Sequence, residues 1–208
     1  MLNELIKRYP VLEGIKGDIE RAVNEIIDCY EKGGKVLLCG NGGSAADCEH
    51  IAGELMKGFL KKRPLDKEKR EEMKERVPDL DDGKLSKLQG GLPAVSLGSM
   101  TALNTAFGND VDSGLVFAQS VLTLAGKGDI LIAMSTSGNS ENICDAAMIA
   151  RSLECRVIGF TGKSGGKLKD YSDVCLCVPE EETFKVQELH LPVYHCICAM
   201  VEERFFKE

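Results

Sequence analysis

Apolar positions along the chain follow two rhythms. Between residues 3 and 32, Leu5, Ile15, Ile19, Val23, Ile26 and Ile27 recur at spacings of three and four, which predicts helix with one proline-containing interruption. Further on, five short and nearly continuous apolar runs appear: KVLLCG, LPAVSLG, DILIAMS, CRVIGFTG and DVCLCVP. Runs of this kind suit strands buried on both faces. Because helical patterns separate them, they predict an α/β fold: a five-stranded parallel sheet with helices on both sides, preceded by a long N-terminal helix. In the helix after the first strand, Cys48, Ile51, Ala52, Leu55, Met56 and Phe59 form the expected inward stripe. In the last helix, Val186, Leu189, Val193, Ile197 and Met200 do the same.

One stretch breaks the rhythm. From Lys61 to Lys87, 18 of 27 residues are charged, and residues 66–76 read as a solvated helix of mixed sign. Residues 65–90 are therefore expected to be a surface insertion, a lid or an oligomer contact within one domain spanning residues 1–208.

Composition narrows the function classes. The formal charge of -7 argues against a nucleic-acid binder, which carries a basic face. No apolar run approaches the ~20 residues of a membrane span. The opening residues MLNELIKRYPVLEGIKGDIE scatter charge where a signal peptide is apolar, so a cytoplasmic protein is expected. The nine cysteines are odd in number and include no C-x-x-C pair, only C-x-C at Cys175/Cys177 and Cys196/Cys198. They read as ordinary buried thiols in a reducing compartment.

Ligands of open parallel sheets bind beyond the carboxyl ends of the strands. Two of the predicted ends carry chemistry. GNGGS, Gly40 to Ser44, fits the glycine pattern of a dinucleotide fingerprint, but the next strand ends in SLGSM, without the required carboxylate. TGKSGGK at Thr161 is not a P-loop, because Val157 stands where that motif needs glycine. The other end, STSGNS, offers Ser135, Thr136, Ser137 and Ser140 just before a helix. Hydroxyls and unpaired amides at a helix N-terminus bind phosphate without a cation. Ser44 opens a second helix in the same way, so the pair of tips points to a phosphorylated small molecule.

Beside this cradle, His50 and Glu54 lie one helical turn apart, near Asp47. Gln187, His190 and His195 fall on the last helix. For each histidine alone a structural role is the expected one; His50, Glu54, Gln187 and His195 together are four polar candidates for metal or proton chemistry. Eight residues separate Gln187 from His195, about 80° and ~12 Å along an unbroken helix. One metal held at ~2 Å from both requires a bend at Pro192 or donors from two subunits.

The combination CGNGGSAADCEHIAGEL, FGND, STSGNS, TGKSGGKL and QELHLPVYH resembles the sugar isomerase (SIS) domain family, and within it the phosphoheptose isomerases, over almost the whole chain outside residues 65–90. The resemblance implies a flavodoxin-like sheet and a homotetramer with active sites at subunit boundaries. It implies phosphate binding by Ser44, Ser135, Thr136, Ser137 and Ser140, and sugar contacts from Asn41, Gly42, Gly43, Asn109 and Asp110. It also implies one zinc ion per subunit on His50, Glu54, Gln187 and His195, with Gln187 and Glu54 also facing substrate. The reaction implied is aldose–ketose isomerisation of sedoheptulose 7-phosphate through an enediol, with Glu54 shuttling the carbon proton and His195 protonating oxygen. Non-catalytic relatives that associate with the replication initiator lack that Glu and that last His, whereas both are present here. A SIS isomerase for a different sugar phosphate is the other alternative. Departures from the family pattern are the charged insertion, Ser99 in place of an acidic residue and Lys185 in place of arginine.

Overall fold

The computed structural model describes residues 1–206 of the 208. The N-terminal periodicity resolves into helix α1 (Leu2–Arg8), a 3₁₀ turn (Pro10–Ile15) and helix α2 (Lys16–Glu31). Pro10 opens the 3₁₀ turn, where its missing N–H costs nothing and its fixed φ suits a first helical turn.

All five apolar runs are strands: β1 (Val36–Gly40), β2 (Ala94–Ser96), β3 (Ile130–Met134), β4 (Arg156–Thr161) and β5 (Val174–Cys177). They form one parallel sheet in the order β2-β1-β3-β4-β5. Strand alternation sorts their side chains into two cores. Val36, Leu38, Ile130, Ile132, Ile158 and Phe160 face α2, helix α3 (Gly43–Met56) and helix α9 (Thr183–Phe205). Leu37, Cys39, Leu131, Ala133 and Val157 face the opposite layer. There, beyond the short helix α6 (Thr101–Phe107), Phe117 and Val121 come from helix α7 (Val116–Leu124), and Ile143, Ala146 and Ala150 from helix α8 (Glu141–Ser152). With both faces covered, the central strands β1 and β3 carry no exposed residue.

This order places the topological switch between β1 and β3, because the chain leaves β1 toward β2 on one side and β3 toward β4 on the other. Crevices for ligands open at such points. Gly40 and Met134, the last residues of β1 and β3, are register partners, so the loops that follow them emerge side by side.

The charged stretch folds as helix α4 (Lys67–Arg76), which buries nothing and is capped by Asp66 on the Lys69 amide at 2.6 Å, and the short helix α5 (Asp82–Leu85). Its two ends are tied together, with the Gly90 amide donating to the Arg63 carbonyl at 2.7 Å. Beneath this junction is a buried ion pair. Glu202 of α9 accepts from Arg63 Nε at 2.8 Å and from the amides of Phe59, Leu60 and Lys61. Arg63 also donates to the carbonyls of Leu55 and Glu54, ending α3. Met56, expected in the inward stripe of α3, is instead 57% exposed, because Leu55 takes the inward position of that last turn. Phe59 lies past the helix and is only partly buried. Among the described residues, no helix is long and apolar enough to cross a membrane.

Candidate active site

Two glycine-bearing turns build the crevice. After β1 the chain reverses through Gly42 at φ +54°, ψ -120°, a conformation that disfavours a Cβ, and enters α3. After β3, Gly138 at φ +68° lies so close to the Gly165 carbonyl that a Cβ would sit 2.0 Å from it. The loop after β4 thus buttresses the phosphate-type turn, and the Gly162 amide donating to the Thr136 carbonyl at 2.9 Å ties the two loops again. A reciprocal pair of amide hydrogen bonds, each 3.0 Å, joins Asn41 to Asn142 across the crevice mouth.

A cavity of about 240 Å³ lies between these turns, lined by Asn41, Gly42, Gly43, Ser44, Ser135, Thr136, Ser140, Thr183 and Gln187, with Met134 at its floor. The N-termini of α3 and α8 both border it, and neither is capped by a side chain. Ser135 Oγ donates to Ser140 Oγ at 3.0 Å, keeping both hydroxyls at the helix mouth. The arrangement suits a phosphate: two helix dipole ends, several hydroxyls and no cationic side chain in the lining. Ser137 does not line the cavity; it is exposed, and its hydroxyl accepts from the Asn139 amide at 3.1 Å. Thr183 was not singled out from the sequence, yet it opens a helix after a strand just as Ser44 and Ser140 do, and that placement was a readable signal.

Further along α3, a second cluster of polar groups converges. His50 Nε2 lies 3.1 Å from Glu54 Oε1 and 3.5 Å from His195 Nε2. Lys57 donates to the other oxygen of Glu54 at 2.9 Å. Tyr194, absent from the sequence-level candidates, is central. Its hydroxyl donates to Asp47 Oδ1 at 3.2 Å and lies 3.0 Å from His50 Nδ1. Tyr194 thus links Asp47 to the Nδ1 side of His50, while the Nε2 side of the same ring faces Glu54 and His195. Burial, then the neighbouring His50, pushes His195 below the usual histidine range, so its ring is neutral at neutral pH. Burial raises the Asp47 carboxyl, against the opposing hydrogen bond from Tyr194.

The structure therefore brings His50, Glu54 and His195 together, but it places Gln187 elsewhere. Gln187 reaches over Gly43 at the phosphate cavity, its Nε2 only 2.5 Å from where a Gly43 Cβ would stand. This matches the separation expected of two residues eight apart on one helix. Among the described residues, no group of three or more His, Cys, Asp or Glu forms a ready metal cage. Asn109 and Asp110 bond to each other at 2.8 Å on an exposed π-helical turn (Gly108–Asp112) and do not line the cavity. His190 is buried in the core, with Nε2 donating to the Thr161 carbonyl at 3.2 Å.

A larger, mostly apolar cavity of about 490 Å³ reaches His195 from another side, bounded by Leu5, Tyr9, Phe59, Leu60, Leu191 and Pro192 among others. Arg8 is its one lysine or arginine and no serine or threonine lines it, whereas the crevice at the strand tips gathers several hydroxyls and two helix N-termini.

Comparison with known proteins gives a consistent answer. A family profile described as the SIS domain matches residues 4–77 and 87–162, and the gap falls within the charged stretch. A phosphoheptose isomerase of Clostridium acetobutylicum is 40% identical over 190 residues, 91% of this chain and 84% of that protein. One from Aliarcobacter butzleri is 38% identical over 192 residues, 92% and 88% of the two chains. Among solved structures, a phosphoheptose isomerase from Francisella tularensis superposes with a TM-score of 0.77 at 32% identity, over 94% of this chain and 91% of that one. The Neisseria gonorrhoeae enzyme gives 0.76 at 31% identity, over 97% and 94%.

Proposed function

The chain belongs to the SIS domain family and, within it, to the phosphoheptose isomerases, and we propose that the crevice at the β1 and β3 tips, with the cluster on α3 and α9, is where it isomerises its substrate. The reaction is the interconversion of sedoheptulose 7-phosphate and D-glycero-D-manno-heptose 7-phosphate, an aldose–ketose isomerisation early in heptose biosynthesis.

The observation that carries the site assignment is the separation of two different chemistries along one helix. Ser44 opens α3 at the phosphate cavity, while His50 and Glu54 follow six and ten residues later, roughly 9 and 15 Å along the axis. A substrate spanning both must carry its phosphate at one end of an extended carbon chain and react at the other, as a heptose 7-phosphate does. Moving a proton between the first two carbons needs a base at carbon and an acid at oxygen, each worth about 10²–10⁴-fold. Glu54 takes the proton from one carbon and returns it to the next. His195, neutral through burial, exchanges the hydroxyl proton. Lys57 balances the charge of Glu54 in the resting state.

Two separations support a metal at this cluster: Glu54 Oε1 and His195 Nε2 lie 3.1 and 3.5 Å from His50 Nε2, close to the ~3.4 Å between tetrahedral donors at ~2.0–2.1 Å from zinc. The Asp47–Tyr194–His50 relay is the outer support that a metal-binding histidine uses. His50, Glu54 and His195 would hold the ion, while Gln187 stands over Gly43 at the phosphate cavity of its own chain. Zinc held there would supply Lewis-acid polarisation of the substrate carbonyl. An assembly of several chains, a homotetramer as in the family, accounts for Asn109 and Asp110 lying away from this chain's own cavity. Exposed Leu60 and Leu191 beside His195 supply apolar surface for such a contact.

The test is incubation with sedoheptulose 7-phosphate and NMR detection of the aldose, with fructose 6-phosphate as control. Product from the heptulose alone is expected. Turnover of the hexulose only would overturn the substrate assignment, and a fully active monomer in sedimentation would overturn the shared site. Glu54→Gln should abolish turnover with an unchanged circular dichroism spectrum.

A further inference from the structure

Seven of the nine cysteines are buried; Cys175 and Cys177 are not. They lie on β5, the sheet edge, where Val174 and Leu176 turn into the core and the two cysteines share the opposite face. Their sulfurs are in contact at 3.5 Å. Thr161 Oγ1, from the register partner of Cys177 on β4, lies 3.6 Å from one sulfur and 3.4 Å from the other. On the loop side Cys177 neighbours Gly165, with the Lys169 side chain beside it. Two residues along a strand place the α-carbons about 6.6 Å apart, within the upper end of the disulfide range of ~6.8 Å. Closing the pair also draws the two Cβ atoms from extended-strand spacing to about 4 Å, so it requires a local bend of the edge strand at Leu176 rather than a movement across the sheet.

We propose that Cys175 and Cys177 form a reversible dithiol–disulfide site, with Cys177 the attacking sulfur and hydrogen peroxide the oxidant. The Cys177 thiolate attacks one peroxide oxygen; the O–O bond breaks, an S–O bond forms, and hydroxide leaves to become water. Cys175 then attacks the oxidised sulfur of Cys177. An S–S bond forms and the S–O bond breaks, with the Cys175 proton leaving on a second water. Two sulfurs are each oxidised by one electron overall, and the peroxide is reduced to water. A thiol reductant reverses the process.

The surroundings favour Cys177 as the first nucleophile. Burial dominates in raising buried thiols such as Cys29 and Cys155, both to about 11. Cys177 is instead lowered, chiefly by the hydrogen bond it shares with Cys175, then by Thr161 and the Lys169 ammonium, against its partial burial. The larger thiolate fraction makes it the faster nucleophile toward peroxide at pH 7, an advantage reduced but not cancelled by the lower nucleophilicity of a weaker base.

The tryptic peptide Asp170–Lys185 contains both residues and no other cysteine. The full chain is treated with limiting peroxide, alkylated and digested. The expected result is that this peptide loses two hydrogen masses before any other cysteine is modified, and regains them with dithiothreitol. Dimedone added during oxidation of Cys175→Ser should label Cys177; Cys177→Ser should leave Cys175 unoxidised over the same interval. Because the first readout uses the wild-type protein, it stands even if a variant misfolds. First modification at another cysteine, or an unchanged rate at Cys175 in Cys177→Ser, would overturn the proposal.

Discussion

Acid should destabilise this protein through His190, a residue outside the reacting cluster. The ring is fully buried on α9, edge-on to Phe160 with centroids 5.4 Å apart, and donates from Nε2 to the Thr161 carbonyl. Its Nδ1 is buried without a partner, so a proton there would be an uncompensated charge. Burial accordingly lowers its pKa from 6.5 to about 4. Between those values the unfolded chain binds a proton that the native chain does not. The stabilisation is therefore complete above about pH 6.5 and is lost as pH falls toward 4. A gap of about 2.5 pH units at ~1.36 kcal/mol each sets a ceiling of about 3 kcal/mol, of which about 2 is lost between pH 7 and pH 5. His190→Gln retains an amide donor for Thr161 and removes the titration. Urea unfolding followed by circular dichroism at pH 7 and pH 5 measures both proteins. Wild type should lose about 2 kcal/mol more than the variant across that interval. The lowered pKa of His195 acts with the same sign but is common to both, so it cancels. Equal losses in the two proteins would refute the reasoning.

Three other outcomes follow from the site and its supports. Gly43→Ala displaces the Gln187 amide, a flexible group, so the fold should survive while KM for the sugar phosphate rises roughly tenfold in steady-state kinetics. Arg63→Met leaves Glu202 buried without its cation and should cost about 3–5 kcal/mol in urea unfolding, with partial recovery in Arg63→Met/Glu202→Leu. Burial pushes the Glu202 carboxyl up, yet the amides of Phe59 and Leu60 and the Arg63 guanidinium outweigh it and hold it below the usual range. Prolonged chelation should remove activity and added zinc restore it, measured with the aldose assay; unchanged activity after chelation would count against a metal on His50, Glu54 and His195.

What could be read in advance divides along a physical line. The strands were legible because both sheet faces are covered, which forces apolar residues at consecutive positions such as Val36 to Cys39. The phosphate turns were legible because the fold class dictates where ligands bind, and GNGGS and STSGNS sit at those strand ends. Neither inference needs to know how one helix lies against another. The arrangement around His50 does. Tyr194 meets Asp47 and His50 from 147 and 144 residues away, and nothing local in VYHC distinguishes a phenol bonded to a histidine from one filling the core. Arg63 and Glu202 are 139 residues apart, and in a run of mixed charges Arg63 looks as solvated as its neighbours. Met56 shows the limit of periodicity at a helix end: it falls on the inward edge of α3, yet α3 ends there and its side chain is exposed while Leu55 is buried. Side chains that orient or anchor are thus set by the docking of α9 on α3. The distance between Gln187 and His195 needs no such docking: eight residues along one helix put the first at the phosphate cavity and the second at the His50 cluster, and that much the sequence did carry.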